Sequence, residues 1–240
     1  MYGGRVMAWF GKSGDGGAAV DLAARRDERE ALVATIARRM RADRPLGLPA
    51  LSPRVAAALM ATPRELFTPA DQAPYAYQDQ VLPLAAGQTL SQPSLVALMT
   101  ELLDVHPGDR VLEVGVGSGY QTALLAHLGA TVFGLEVIAD LAQAAERRLA
   151  ALGIRNVTLR IGDGHGGWPD AAPFDAILAA CAAPAVPPAL VEQLRPGGRL
   201  LLPVGPAGRA QQLCLVEKGR DGRVREQPLL AVAFVPMVEG

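Results

Sequence analysis

The feature that most constrains this chain is a run at its centre, Glu113, Val114, Gly115, Val116, Gly117, Ser118, Gly119, which starts inside a short apolar segment (111–114) and leads into an apolar-periodic one (121–128). Glycines at alternate positions favour neither strand nor helix, because glycine loses more backbone freedom than any other residue on entering either. A strand that enters such a turn and leaves as a helix is the opening unit of a doubly wound α/β sheet, whose ligands sit beyond the carboxyl ends of the strands. The pattern repeats downstream, with strands expected at 131–135, 157–161, 176–179, 199–203 and 213–217, and helices at 138–152 and 188–194. Such alternation builds a mostly parallel sheet with helices on both faces. The last two strands are joined by a loop rather than a helix, so they are expected to form an antiparallel edge.

Upstream, a Gly- and Ser-rich stretch (11–19) is too polar to offset its ordering entropy, and residues 1–22 are expected to form a flexible tail. Leu32, Ile36 and Met40 recur every fourth residue and mark an amphipathic helix ending near Pro45. Ser52 and Pro53 give a second helix its cap and its first turn. Residues 62–84 carry Pro63, Pro69, Pro74 and Pro83 among Phe67, Tyr75 and Tyr77, and read as irregular structure suited to forming a wall of a site. Ser91 is placed to cap a third helix, through Leu95, Leu98, Met99 and Leu102, which Pro107 and Gly108 stop. The expected layout is a tail (1–22), an N-terminal helical segment that carries the acceptor site (23–107) and an α/β core (108–240) within one structural domain.

The 23 Lys and Arg nearly cancel the 24 Asp and Glu, a balance that argues against a dedicated nucleic-acid binder or a membrane-surface protein. No apolar run approaches the about 18 residues that cross a bilayer, and residues 1–10 lack the apolar stretch and cleavage site of a signal peptide. The expected location is the cytoplasm. Cys181 and Cys214 lack metal-ligand spacing and read as small buried hydrophobes, so no metal is expected.

A dinucleotide fold needs a glycine three residues after the second glycine of the turn, to seat a pyrophosphate on the helix N-terminus. Tyr120 stands there instead. Glu136 ends the second strand, where a carboxylate accepts hydrogen bonds from both ribose hydroxyls, and Asp163, between Gly162 and Gly164, is placed to accept from an adenine amino group. Acidic or glycine markers at the ends of three successive strands, in an acidic-x-Gly-x-Gly-x-Gly turn, resemble the first motifs of Rossmann-like methyltransferases. That resemblance implies S-adenosyl-L-methionine as cofactor. The residues expected to hold it are Gln88, Thr89, Glu113, Gly115, Gly117, Ser118, Gly119, Glu136, Val137, Asp163 and Gly164.

A narrower resemblance runs from about Pro63 to the C-terminus. Ala76, Tyr77, Gln78, Asp79, then Gly87, Gln88, Thr89, Leu90, Ser91, Gln92, Pro93, and later Gly167–Trp168, Leu202–Pro203–Val204–Gly205 and Phe234–Val235–Pro236 look like the successive signatures of protein-L-isoaspartate O-methyltransferases. The likeness implies methyl transfer to the α-carboxylate of isoaspartyl residues in proteins or peptides; a monomer without nucleic-acid or membrane partners is expected. The ester then closes to a succinimide. It also implies that Ser91 is the essential serine, orienting the acceptor carboxylate with help from Thr89. Such a reaction needs no strong base, because the acceptor is already ionised near neutral pH, and His165 is therefore not read as one. His106 and His127 read as surface or packing residues, and Trp168 as a core aromatic. Val116, Ala180 and Ala233 depart from the family pattern and bear on the acceptor. They motivate an alternative acceptor, an Asp of a ribosomally made peptide or a small carboxylate. A non-catalytic S-adenosylmethionine-binding regulator is a second alternative, against which Ser91 argues.

Overall fold

The computed structural model describes residues 21–238, so all but the last two residues of the expected tail lie outside it. Helix α1 (Arg26–Asp43) turns Leu32, Val33, Ile36 and Met40 inward, and α2 (Pro53–Ala61) starts where expected, with the Ser52 hydroxyl accepting from the Val55 N–H at 3.2 Å. The proline-rich stretch contains short 3-10 turns at Arg64–Phe67 and Ala73–Tyr75 and then a two-residue hairpin, β1 (Leu82–Pro83) against β2 (Thr89–Leu90). Helix α3 (Pro93–Leu103) follows.

The core then runs β3 (Arg110–Val114), α4 (Tyr120–His127), β4 (Thr131–Glu136), α5 (Ala139–Ala151), β5 (Val157–Ile161), β6 (Phe174–Ala179), α6 (Pro188–Glu192), β7 (Leu194–Val204), β8 (Gln211–Lys218) and β9 (Val224–Val232). The sheet order is β5-β4-β3-β6-β7-β8-β9. The first five strands of that order are parallel, and β7, β8 and β9 form an antiparallel meander. The chain moves outward from β3 to β5 and then returns to β6 on the other side of β3, so a crevice opens beyond the carboxyl ends of β3 and β6.

Side chains alternate across the strands and feed two apolar layers. Val111 and Leu201 join Leu32, Ile36, Val55, Leu59 and Phe67 of the N-terminal segment, whereas Leu112, Val114, Leu200 and Leu202 pack with Trp168, Phe174 and Ile177 on the other face. The N-terminal helices thus share one core with the sheet, which fixes the segment before α3 relative to the strand ends.

Three expectations shift. Strand β9, not anticipated, extends the antiparallel edge; β7 starts five residues early; and α6 stops at Glu192.

Candidate active site

At the carboxyl end of β3, Gly115, Gly117 and Gly119 all adopt left-handed backbone, with φ of 83°, 55° and 90°. The turn is tied to β4, since Gly115 and Val116 both donate to the Leu135 carbonyl, at 2.8 and 3.2 Å. Glu136 locks it from the other side: one carboxylate oxygen accepts from Gly117 N–H at 2.7 Å and the other from Ile138 N–H at 2.9 Å. Both oxygens keep a further lone pair, so this fixed carboxylate can still accept from a ligand.

Glu113 presents the opposite situation. It is fully buried, and among the described residues neither carboxylate oxygen has a hydrogen-bond partner. Desolvation pushes its carboxyl up to about 8; the nearby Thr122 hydroxyl opposes that shift and the Glu136 charge adds to it. An unpaired carboxyl group at a strand end, beside a second carboxylate, is suited to receive a cation.

Gly162 and Gly164 close the far wall. A Cβ at Gly164 would lie 2.2 Å from the Val114 Cγ1, so glycine is required for β3 to pass this close. Asp163 itself does not line the cleft; its Oδ1 accepts from both the N–H and the Nδ1 of His165, each at 2.8 Å, assigning that histidine to holding a loop.

One cleft brings together Gln88, Thr89 and Ser91 from the N-terminal segment with Glu113, Gly115, Gly117, Ser118, Glu136, Val137 and Gly164 from the core. Of the expected site residues, Gly119 and Asp163 stand outside its lining. Gly119 sits at the N-cap of α4, where a Cβ would meet that of Ala145 at 3.1 Å. The hairpin tip reaches over the turn, with Leu84 Cδ1 3.9 Å from where a Gly117 Cβ would stand.

The capping role expected of Ser91 is corrected. The cap residue of α3 is Gln92, and the first-turn N–H of Ser94 is satisfied from a distance by Asp79 Oδ1 at 2.9 Å. The Asp79 carboxylate also pairs with Arg39. Ser91 therefore lies one residue ahead of the cap, on the cleft wall, with its hydroxyl free of that duty.

Sequence reasoning missed much of the mouth. Residues 234–238 line it because the C-terminal segment runs beside the loop after β6, where Ala182 N–H donates to the Val235 carbonyl and Met237 N–H to the Ala182 carbonyl, both at 2.8 Å. The buried Gln211 amide grips Phe234 at both backbone groups. The Phe234, Val235, Pro236 signature was visible, but no local signal said where it folds back. Tyr120, Met99 and Cys181 also face the cleft. Burial pushes the Cys181 thiol up to about 12, which keeps it a small hydrophobe, while Cys214 is only half-buried. Trp168 is buried, edge-on to Phe133. Val116 and Ala180 line the cleft, while Ala233 belongs to a neighbouring groove with Leu95 and Leu98. Among the described residues no helix is long and apolar enough to cross a membrane, and no cluster of three His, Cys, Asp or Glu is arranged to hold a metal.

The family model described as protein-L-isoaspartate(D-aspartate) O-methyltransferase matches residues 44–240. The chain is 54% identical over 191 residues to protein-L-isoaspartate O-methyltransferase 2 of Polaromonas sp. (strain JS666), covering 80% of this chain and 90% of that one. It is 49% identical over 195 residues to the protein of the same name in Syntrophobacter fumaroxidans, covering 81% and 79%. A solved protein-L-isoaspartate O-methyltransferase superposes with a TM-score of 0.76 at 30% identity, over 87% of this chain and 65% of that one. A Plasmodium falciparum structure, described as a complex with S-adenosyl-L-homocysteine, shares the fold with a TM-score of 0.74 at 23% identity, over 88% and 99%.

Proposed function

The chain belongs to the protein-L-isoaspartate(D-aspartate) O-methyltransferase family, and from that membership we propose that it methylates the α-carboxylate of L-isoaspartyl residues in damaged proteins and peptides. The observation that carries this reading is the single cleft in which Ser91 and Thr89 face the glycine turn, Glu113 and Glu136.

The donor set fits S-adenosylmethionine. The unpaired, buried Glu113 carboxyl suits the ammonium of its methionine part, and Glu136, pinned by two backbone donors, suits the two ribose hydroxyls. Gly115, Gly117 and Gly164 let backbone approach closely, Ser118 and Val137 complete the wall, and Gln88 and Thr89 would hold a bound cofactor from the N-terminal segment. Asp163, held by His165, keeps its second oxygen for the adenine amino group at the edge of the cleft. When bound, the cofactor supplies an electrophilic methyl on a sulfonium.

On the acceptor side Ser91 donates its hydroxyl to one carboxylate oxygen and leaves the other as nucleophile, with Thr89 beside it. No residue has to remove a proton, because the acceptor arrives ionised. Methyl transfer makes a neutral ester. The following backbone nitrogen then displaces methanol to form a succinimide, and water opens that ring to aspartate or isoaspartate. The same proposal takes the enzyme to be a cytoplasmic monomer that acts on proteins and peptides rather than nucleic acid, which the near-neutral charge supports.

The test is methyl transfer to two peptides that differ only in carrying isoaspartate or aspartate at one position. Selective methylation of the isoaspartyl peptide is expected. Equal or absent transfer to it, by protein that binds S-adenosylhomocysteine, overturns the assignment.

A further inference from the structure

Behind Ser91 lies a charge that the reaction scheme above does not use. Arg64, in the 3-10 turn Arg64–Phe67, has no exposed surface, although it comes from a proline-rich stretch that reads as loop. Its Nη2 donates to the Ser91 carbonyl at 2.8 Å, and its guanidinium carbon stands 4.8 Å from the centroid of the Tyr120 ring. The Nε and Nη1 groups have no hydrogen-bond partner, and among the described residues no carboxylate lies within ion-pair distance. Asp79 is the carboxylate whose charge bears on it most, and that group is committed to Arg39 and the Ser94 N–H. Desolvation accordingly pulls the guanidinium below its ordinary range, with Tyr120 offsetting part of the effect.

A buried cation without an anion is unfavourable for the fold alone. A neutral side chain of similar length would fill the space without that penalty. The position of this one, bonded to the backbone of the residue assigned to the acceptor, indicates where its missing counter-charge comes from.

We infer that Arg64 is the specificity-determining positioning residue for the acceptor's negative charge: it fixes the Ser91 backbone and sets a positive field beneath the cleft, so that an ionised carboxylate is accepted there and its neutral amide counterpart is refused. The inference rests on the isoaspartyl reading of the same site. Arg64 does not line the cleft, so it acts through Ser91 and through its field rather than by touching the acceptor. In a site of low dielectric that field is weakly screened, which suits discrimination by charge.

The experiment uses full-length protein saturated with S-adenosylhomocysteine, so that no turnover occurs, and measures Kd for an isoaspartyl peptide and for its twin with the α-carboxylate replaced by a carboxamide. Wild type is expected to prefer the carboxylate. In Arg64→Gln that preference falls at least about tenfold, as loss of a weakly screened buried charge near the acceptor does, while affinity for S-adenosylhomocysteine stays within about twofold. Arg64→Lys keeps the preference but lowers kcat, because an ammonium does not reproduce the planar hold on the Ser91 carbonyl. Asp79→Asn supplies an arm of opposite sign, since it leaves Arg64 in place and removes the carboxylate whose charge bears on it most, so the preference rises. An unchanged preference in Arg64→Gln overturns the inference. Should that variant fail to fold, an unchanged or lower preference in Asp79→Asn does so. Wild type that binds the cofactor product but does not methylate the isoaspartyl peptide instead removes the parent reading, which separates the two failures.

Discussion

Replacing Glu113 by Gln tests whether the protein stores instability where it binds its cofactor. Glu113 is fully buried without a hydrogen-bond partner for either oxygen, and its carboxyl titrates at about 8 rather than 4.5. Because the folded-state value is raised, the protonated form contributes stability that is complete below about pH 4.5 and is lost as the pH rises through 8. At pH 7 the folded protein must hold a proton that the unfolded chain has released, a penalty of about 3 kcal/mol at 1.4 kcal/mol per unit. Glutamine, nearly isosteric with the protonated acid, escapes it. Glu113→Gln should therefore melt at about the wild-type temperature near pH 4.5 and roughly 6–12 °C higher at pH 7. The same variant should lose affinity for S-adenosylhomocysteine, since it cannot ionise to meet an ammonium. Calorimetric binding in buffers of different ionisation enthalpy should show wild type releasing close to one proton at pH 7 and the variant none. A melting difference that does not grow with pH, or unchanged proton release, refutes the reasoning.

Ser91→Ala should lower kcat roughly a hundredfold, as loss of a donor to the reacting group does, with S-adenosylhomocysteine affinity within about twofold; because Gln92 occupies the cap of α3, its melting temperature should not move. A full cap-type loss of stability would return Ser91 to a structural role. Asp79→Ala, by contrast, removes the distant acceptor for Ser94 N–H and should destabilise by about 1–2 kcal/mol in denaturant titration. Gly164→Ala puts a Cβ 2.2 Å from Val114 Cγ1 and should be destabilising by about 1–3 kcal/mol or more. Val114→Ala in the same chain should recover part of that loss, and simple additivity in the double-mutant cycle would argue against the clash.

What the sequence made legible follows the range of each interaction. The strands β3 to β6, the glycine turn and the placement of Glu136 are written in local periodicity, since each buried strand needs only its own apolar run and each turn its own glycines. Strand β9 escaped because its first five residues are exposed and Pro228 interrupts it, as an edge position tolerates and an interior one does not. Hairpin β1–β2 has two residues per strand, too few for any period to register. The misplaced cap has a different cause: Ser91 has the right chemistry one residue early, while the side chain that serves the first turn of α3 is Asp79, fifteen positions before the Ser94 N–H it accepts from. Arg64 was missed because an arginine among prolines is ordinarily a surface residue, and only the tertiary structure shows it sealed under Ser91.

The proposed roles divide the cleft by charge. Glu136, joined by Glu113 once that group ionises against a bound ammonium, makes its core side negative, matched to a ligand that carries an ammonium and a sulfonium, while Arg64 makes the wall behind Ser91 positive, matched to a carboxylate. Each reactant is thereby held by fixed groups of its own, so sulfonium and carboxylate meet in one orientation. During transfer the sulfonium and carboxylate charges cancel, and a dry, low-dielectric site favours that loss of charge over the separated ions. Once the ester has formed, Arg64 faces a neutral group and its attraction is gone, so the residue that selects the acceptor does not retain the product. Arg64→Gln should then weaken binding of the isoaspartyl peptide while leaving that of its methyl ester within about twofold of wild type. A variant that weakens both equally would show Arg64 to be shaping the wall and not reading the charge.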